Sequence, residues 1–146
     1  MKSFQFPLQR ALDWRRTELQ LAEARLQQQL AALTALDQAR AELAAIGART
    51  EEAVREFNPL AGRDLTALGS FRLLIKVRDK EIAGRRVECQ RELAARQAGL
   101  LEARRRCRLL ERLKERRWAE WQQARDRELE ELASDSYLAR WCQRQV

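Results

Sequence analysis

Histidine is absent from all 146 residues, which removes the commonest general base and metal ligand available near neutral pH. Glycine (5) and proline (2) are scarce. Pro7 lies near the start and Pro59 is the only proline in the body of the chain, which argues against a globule built from many short elements. No stretch approaches the roughly 18 uncharged apolar residues that a membrane-spanning helix needs. Met1 to Arg10 likewise lacks the apolar centre of an export signal. No glycine-rich phosphate loop occurs. Cys89, Cys107 and Cys142 make an odd count without CxxC spacing. On a single helix the first two would stand about 27 Å apart at 1.5 Å per residue, too far to bridge. These absences lead to the expectation of a cytoplasmic protein with reduced thiols, no transmembrane segment, no catalytic residues, no metal and no cofactor.

What fills the chain is Ala, Leu, Glu, Arg and Gln, with 35% of residues charged and 6% aromatic. These residues lose little rotamer freedom in a helix, and the composition is that of coiled coils. Apolar residues recur at spacings of three, four and their sum of seven through Leu8, Leu12, Leu19, Leu26 and Leu33, then Leu36, Leu43, Thr50 and Phe57. That is a heptad seam. Leu30, Ile46 and Val54 widen it, while Arg15, Gln29 and Arg40 interrupt it. A helix of roughly 50 residues would be about 75 Å long. A second seam runs through Phe71, Ile75, Ile82, Cys89, Leu93, Leu100, Cys107, Leu110 and Leu113 to Trp121, Ala124 and Leu132. Between the seams, Asn58-Pro59, Gly62 and Gly69-Ser70 supply turn chemistry.

The pattern predicts an all-α fold: one long antiparallel coiled-coil hairpin over 1–146. Helix one covers about 8–57, the turn 58–70 and the longer helix two about 71–141. The expected register sets Leu19 near Leu109 and Leu43 near Arg85. It also brings Phe4, Phe6, Leu8 and Trp14 towards Trp118 and Trp121, and leaves the chain beyond about residue 122 without a partner helix. Ser134, Asp135 and Ser136 read as a helix break or cap. Gly84 and Gly99 within the second seam each cost about 1 kcal/mol relative to Ala, to be offset by burial against the partner helix.

Charge is divided unequally. Residues 8–57 carry seven basic and eight acidic side chains, and residues 71–146 carry twenty basic and thirteen acidic ones. The density peaks at Arg104, Arg105, Arg106, Arg108, Arg112, Lys114, Arg116 and Arg117, accompanied by Glu111 and Glu115 alone. The run reads either as a solvated face snorkelling around its seam or as a docking surface for an acidic protein groove. Direct nucleic-acid binding is disfavoured, because a basic zipper places its basic region beside a parallel zipper and not within a seam paired to its own chain.

The opening Phe4-x-Phe6-x-Leu8-x-x-x-Leu12 with Trp14-Arg15-Arg16, and the distal run Leu110-Glu111-Arg112-Leu113-Lys114-Glu115-Arg116-Arg117, resemble the flagellar export protein FliJ family over nearly the whole chain. The resemblance implies the non-catalytic central stalk of a flagellar type III export ATPase. Such a stalk is a monomeric two-helix shaft whose terminal end enters and stimulates the hexameric ATPase ring and whose turn end faces the export-gate membrane protein. It works in the cytoplasm, peripherally associated with the inner-membrane export apparatus, and has a role in escorting export chaperones. The ring contact would fall on Arg104, Arg105, Arg108, Arg112, Lys114, Arg116, Arg117, Trp118 and Trp121. The gate contact would fall on Phe71, Ile75, Arg78 and Ile82, whose plainer role is seam packing, and Arg78 stands where the family has a small residue. The family's Asp-Glu pair after the last leucine is replaced here by Ala133-Ser134-Asp135-Ser136. Injectisome stalk proteins share the architecture, and a homo-oligomeric coiled-coil scaffold is the alternative from a different class.

Overall fold

The computed structural model describes residues 3–56, 59 and 61–144. The fold is all-α, with helix α1 (Gln9–Arg55) and the longer helix α2 (Gly62–Arg144) packed together as a hairpin. Contacts divide the chain into two units, Leu21–Leu101 and a second made of Met1–Gln20 with Glu102–Val146.

In the unit spanning Leu21–Leu101 the helices run antiparallel, as successive polar pairs between them record. Arg72 Nε donates to Glu51 Oε1 (2.7 Å), Arg40 Nε to Asp79 Oδ1 (2.7 Å) and Arg86 Nε to Asp37 Oδ1 (2.6 Å). Leu26, Leu33, Leu36, Leu43, Thr50 and Val54 are half-buried, as are Phe71, Ile75, Ile82 and Leu93, while Cys89 and Leu100 are buried. The seam thus lies where its period puts it, except that Leu30 and Ile46 are turned towards solvent. Gln29, which interrupts the leucine repeat, is buried. Its amide donates to the Cys89 carbonyl (3.2 Å), the Cys89 sulfur (3.2 Å) and Glu92 Oε2 (2.9 Å). A buried amide satisfied at one position only penalises any slip of the two helices, which is how polar groups in a seam specify register.

Two sequence expectations require correction here. Helix two begins at Gly62, nine residues before the expected start at 71, so Gly69 and Ser70 are helical. The cause is a cap. The Ala61 N–H donates to Asp64 Oδ2 (3.1 Å) while the Asp64 N–H donates to the Ala61 carbonyl (3.0 Å), a reciprocal pair that satisfies orphan groups of the first turn. Gly69 then costs only about 1 kcal/mol inside an established helix. Helix one ends at Arg55, and Pro59 sits in an exposed bend where it bars any continuation. The expected ends of the turn and seam at Phe57 and Asn58 lie outside the described residues. The register shifts with the earlier start. Asp37 meets Arg86 where the expected pairing puts Arg91, and Arg40 meets Asp79 in place of Glu88. Arg85, expected beside Leu43, is exposed.

In the other unit, Phe6, Leu12 and Cys107 form a buried cluster flanked by Phe4, Leu19, Leu110 and Leu113. Leu12 is fully buried. Arg16 Nη2 donates to Glu111 Oε1 (3.1 Å), within one residue of the expected pairing, and Lys114 Nζ donates to Gln9 Oε1 (2.8 Å). A further correction concerns 134–136, which are helical and not a break. Ser136 Oγ donates back to the Leu132 carbonyl (2.8 Å), so its hydroxyl is accommodated without ending the helix.

Two predictions follow from these arrangements. A Cβ added at Gly84 or Gly99 meets nothing within 4 Å, so Gly84→Ala and Gly99→Ala should each stabilise by about 0.5–1 kcal/mol, read as a raised urea midpoint in far-UV circular dichroism. An unchanged or lowered midpoint would show that backbone packing at these sites needs glycine. The second concerns acid. The Arg40 and Arg72 guanidinium groups, by hydrogen bonding first and charge second, hold the carboxyls of Asp79 and Glu51 below their ordinary range. A folded-state value below the unfolded one gives stability that is complete above the unfolded carboxylate range, about 4. It is lost as pH falls through the depressed folded values. The thermal midpoint should therefore hold on acidification to about pH 5 and fall below about pH 4, less steeply in the Asp79→Asn, Glu51→Gln double variant. An equally steep fall in that variant would assign the acid sensitivity elsewhere.

Candidate docking surface

Segment 3–8 has no regular structure. The Gln9 N–H closes a turn on the Phe6 carbonyl (3.1 Å) as α1 begins. This turn carries Phe4 onto α2, where its ring meets Trp118 edge-on at 5.1 Å between centroids and Trp121 at 6.0 Å, while the two indoles stack at 5.1 Å. Edge-to-face and offset contacts of this kind add to simple burial because the ring edge and face carry opposite partial charge. Trp118 and Trp121, candidates for partner contact on sequence grounds, thus belong in part to the fold. Trp14 and Leu8, expected in the same cluster, are exposed, and the Arg15 guanidinium lies 4.6 Å from the Trp14 ring. Trp14 is two residues on from Leu12, about 200° around the helix, and so points away from α2.

The same angular arithmetic sorts the basic run, which does not encircle α2 evenly. Cys107, Leu110, Lys114, Trp118 and Trp121 share the face packed on α1 and the N-terminal segment. At about 100° per residue, Arg105, Arg108, Arg112 and Arg116 fall within an arc of about 80° on the opposite side. All four are exposed. Among the described residues none of the four makes a hydrogen bond or ion pair. The other candidates are engaged: Lys114 with Gln9, and Arg117 Nη1 with Glu120 (3.3 Å). Arg104 is exposed at the edge of the arc and has an interaction of its own. Arg106, whose Nε bonds Glu102 (2.9 Å), lies outside it.

Beyond Trp121, every described side chain from Gln122 to Cys142 is exposed except that of Arg125, which is half-buried with its guanidinium 5.4 Å from the Trp121 ring centroid. The stretch displays Leu129, Leu132, Tyr137, Leu138 and Trp141 among the acids Asp126, Glu128, Glu130, Glu131 and Asp135. A shallow concavity of about 440 Å³ beside the N-terminal segment is lined by Phe4, Gln5, Phe6, Pro7, Gln9, Arg10 and Lys114. It offers cations and amides but no carboxylate, thiol or hydroxyl. Cys107, buried between the helices beside Glu111, has its thiol pushed up by burial first and by the Glu111 charge second, which disfavours the nucleophilic thiolate. Cys89 is buried and Cys142 exposed. Among the described residues no group of three or more His, Cys, Asp or Glu side chains could hold a metal ion, and no helix is long and apolar enough to cross a membrane.

The four residues near the turn form a separate surface. Phe71, Ile75 and Ile82 are half-buried, and Ile75 Cγ2 lies 3.9 Å from where a Cβ on Gly47 would stand. Arg78 is exposed and pairs with Glu81 at 3.2 Å. Beside them Leu73, Leu74 and Val77 are exposed, at 66%, 54% and 52%. Sequence reasoning passed over this ridge because its residues lie out of phase with the seam. The uninterrupted run Leu73-Leu74-Ile75 was the available signal, since a seam one face wide cannot take three consecutive residues. No protein-family model, curated protein or solved structure matches the chain.

Proposed function

We propose that the chain is the non-catalytic stalk of a type III protein export apparatus of the flagellar kind, which docks in a hexameric export ATPase and promotes its turnover. The observation that carries this reading is the set of four exposed, unpaired arginines on one side of α2, Arg105, Arg108, Arg112 and Arg116. Guanidinium groups with no acidic partner among the described residues raise the rate of encounter with a carboxylate-lined pore and orient it. Arginine suits such a contact because its planar fork bonds carboxylates bidentately. The order of motifs at the two ends of the chain, from Phe4 to Arg16 and from Leu110 to Arg117, supplies the identity of the apparatus. At the turn, the export gate would meet the exposed ridge Leu73, Leu74 and Val77, with Phe71, Ile75 and Ile82 shared between that contact and the seam. The exposed apolar and acidic stretch after Trp121 is available to escorted chaperones. The chain works at the cytoplasmic face of the inner membrane, as a peripheral component.

Adding the purified chain to the cognate export ATPase should raise its hydrolysis rate. The Arg105→Glu, Arg112→Glu, Arg116→Glu variant should lose this stimulation while keeping the helical circular dichroism of the parent. Lost helicity would make the arginine run structural, and full stimulation by a helical triple variant would remove the stripe from the contact.

A further inference from the structure

The outer face of α2 carries a second pattern, independent of the packed seam. Continuing the arc of Arg105, Arg108, Arg112 and Arg116 along the helix gives Ala119, Gln123, Asp126 and Glu130, all within the same arc of about 80°. Every one of these side chains is exposed. From Arg112 the spacings are four, three, four, three and four, a heptad alternation on the side opposite to the core. Along this face the charge is segregated: arginines on one side of Ala119, acids on the other, and a small residue at the midpoint. Such a face is complementary to itself reversed. A two-fold axis through Ala119 sets Arg112 against Asp126 and Arg108 against Glu130, each twice, with Arg116 opposite Gln122. A parallel in-register pair would instead lay arginine on arginine.

We infer that two copies of this chain associate reversibly and antiparallel through the outer face of α2, centred on Ala119, so that each acidic stretch covers the other's arginine stripe. The closed two-fold contact is isologous, which limits assembly to a dimer. Alanine at the axis admits close approach of the helices, and the arginine stems supply apolar cover around the charged pairs. Because exposed ion pairs are individually weak and screened by salt, the association is loose and strongly dependent on ionic strength. The arginines are those of the proposed ATPase contact, so self-association would hold the surface covered until an acidic partner displaces the second copy. The dimer itself does not depend on that reading.

Sedimentation equilibrium of the full chain over a concentration series tests it. At low salt the mass should rise from monomer to dimer and no further, with the dissociation constant increasing about tenfold when salt is raised to about 0.5 M. The Arg108→Glu, Arg112→Glu variant and the Asp126→Arg, Glu130→Arg variant should each remain monomeric, because each sets like charges together. Mixed in equal amounts they should dimerise again, since each then presents what the other lacks. Restoration in the mixture also shows that both variants are folded. A wild type that stays monomeric throughout at low salt, a mixture that stays monomeric, or a variant that dimerises alone overturns the inference. ATPase stimulation by a strictly monomeric wild type would leave the stalk reading standing while this one fell.

Discussion

Everything here depends on two narrow apolar stripes that can be buried only against each other. A pair of helices shields one face of each. Among the described residues burial is accordingly thin: Phe6, Leu12, Cys89, Leu100 and Cys107 are the buried apolar side chains, and Leu12 alone is fully enclosed. A seam of half-buried leucines supplies the drive to associate but little discrimination between neighbouring registers. Discrimination falls to polar groups, which have a correct partner at one alignment only. Gln29 against Cys89 and Glu92, Arg40 against Asp79, Asp37 against Arg86 and Glu51 against Arg72 serve this purpose in one unit, as do Arg16 against Glu111 and Lys114 against Gln9 in the other. Each exposed pair is a modest source of stability, yet a slip by one heptad would break them together.

The corollary of a single seam is that most of each helix surface is free of structural duty. On α1 that surface is electrically balanced. On α2 it is cationic, with the excess concentrated where Phe4, Trp118 and Trp121 interlock. The aromatic contacts fix the rotation of α2 about its axis there, and that rotation decides which basic residues face outward. Packing and charge display are therefore one problem in this region. The indoles that close the core also aim the arginines.

Much of the fold was legible in the sequence because a heptad alternation sustained over many turns has few structural interpretations. The antiparallel reversal followed from Pro59 and the shortage of any other breakers. The boundaries were less legible. Gly62, Gly69 and Ser70 suggested a long turn, but turn residues only permit a break, and the cap formed by Asp64 on Ala61 decided where α2 begins. Ser134 to Ser136 misled for the same reason, since serine tolerates a helix interior when its hydroxyl can return to the carbonyl four residues back. Within the candidate surface, the basic run was plain in the sequence, but its division into engaged and free members was not. That division depends on helical phase relative to α1, and only the contacts of Cys107, Lys114 and Trp118 fix the phase. Trp14 failed on the same point, lying off the seam by two residues.

The free arginines are free for a reason that links the seam to the surface. On an isolated helix, acids three or four positions away would neutralise them. Glu102 is three residues from Arg105, Glu111 three from Arg108, and Glu120 four from Arg116. Each is already committed: Glu102 to Arg106, Glu120 to Arg117, and Glu111 across the hairpin to Arg16. Only Glu115, three residues from Arg112, remains on α2 within reach of the stripe. The contact between Arg16 and Glu111 therefore does more than align two helices, because by holding Glu111 against α1 it withholds that carboxylate from Arg108. A helical α2 without α1 would regain Glu111 for Arg108 and present a weaker positive field at that point of the stripe. The charged face is thus a property of the folded hairpin and not of the basic sequence alone, and a partner that reads it reads the pairing of the helices at the same time.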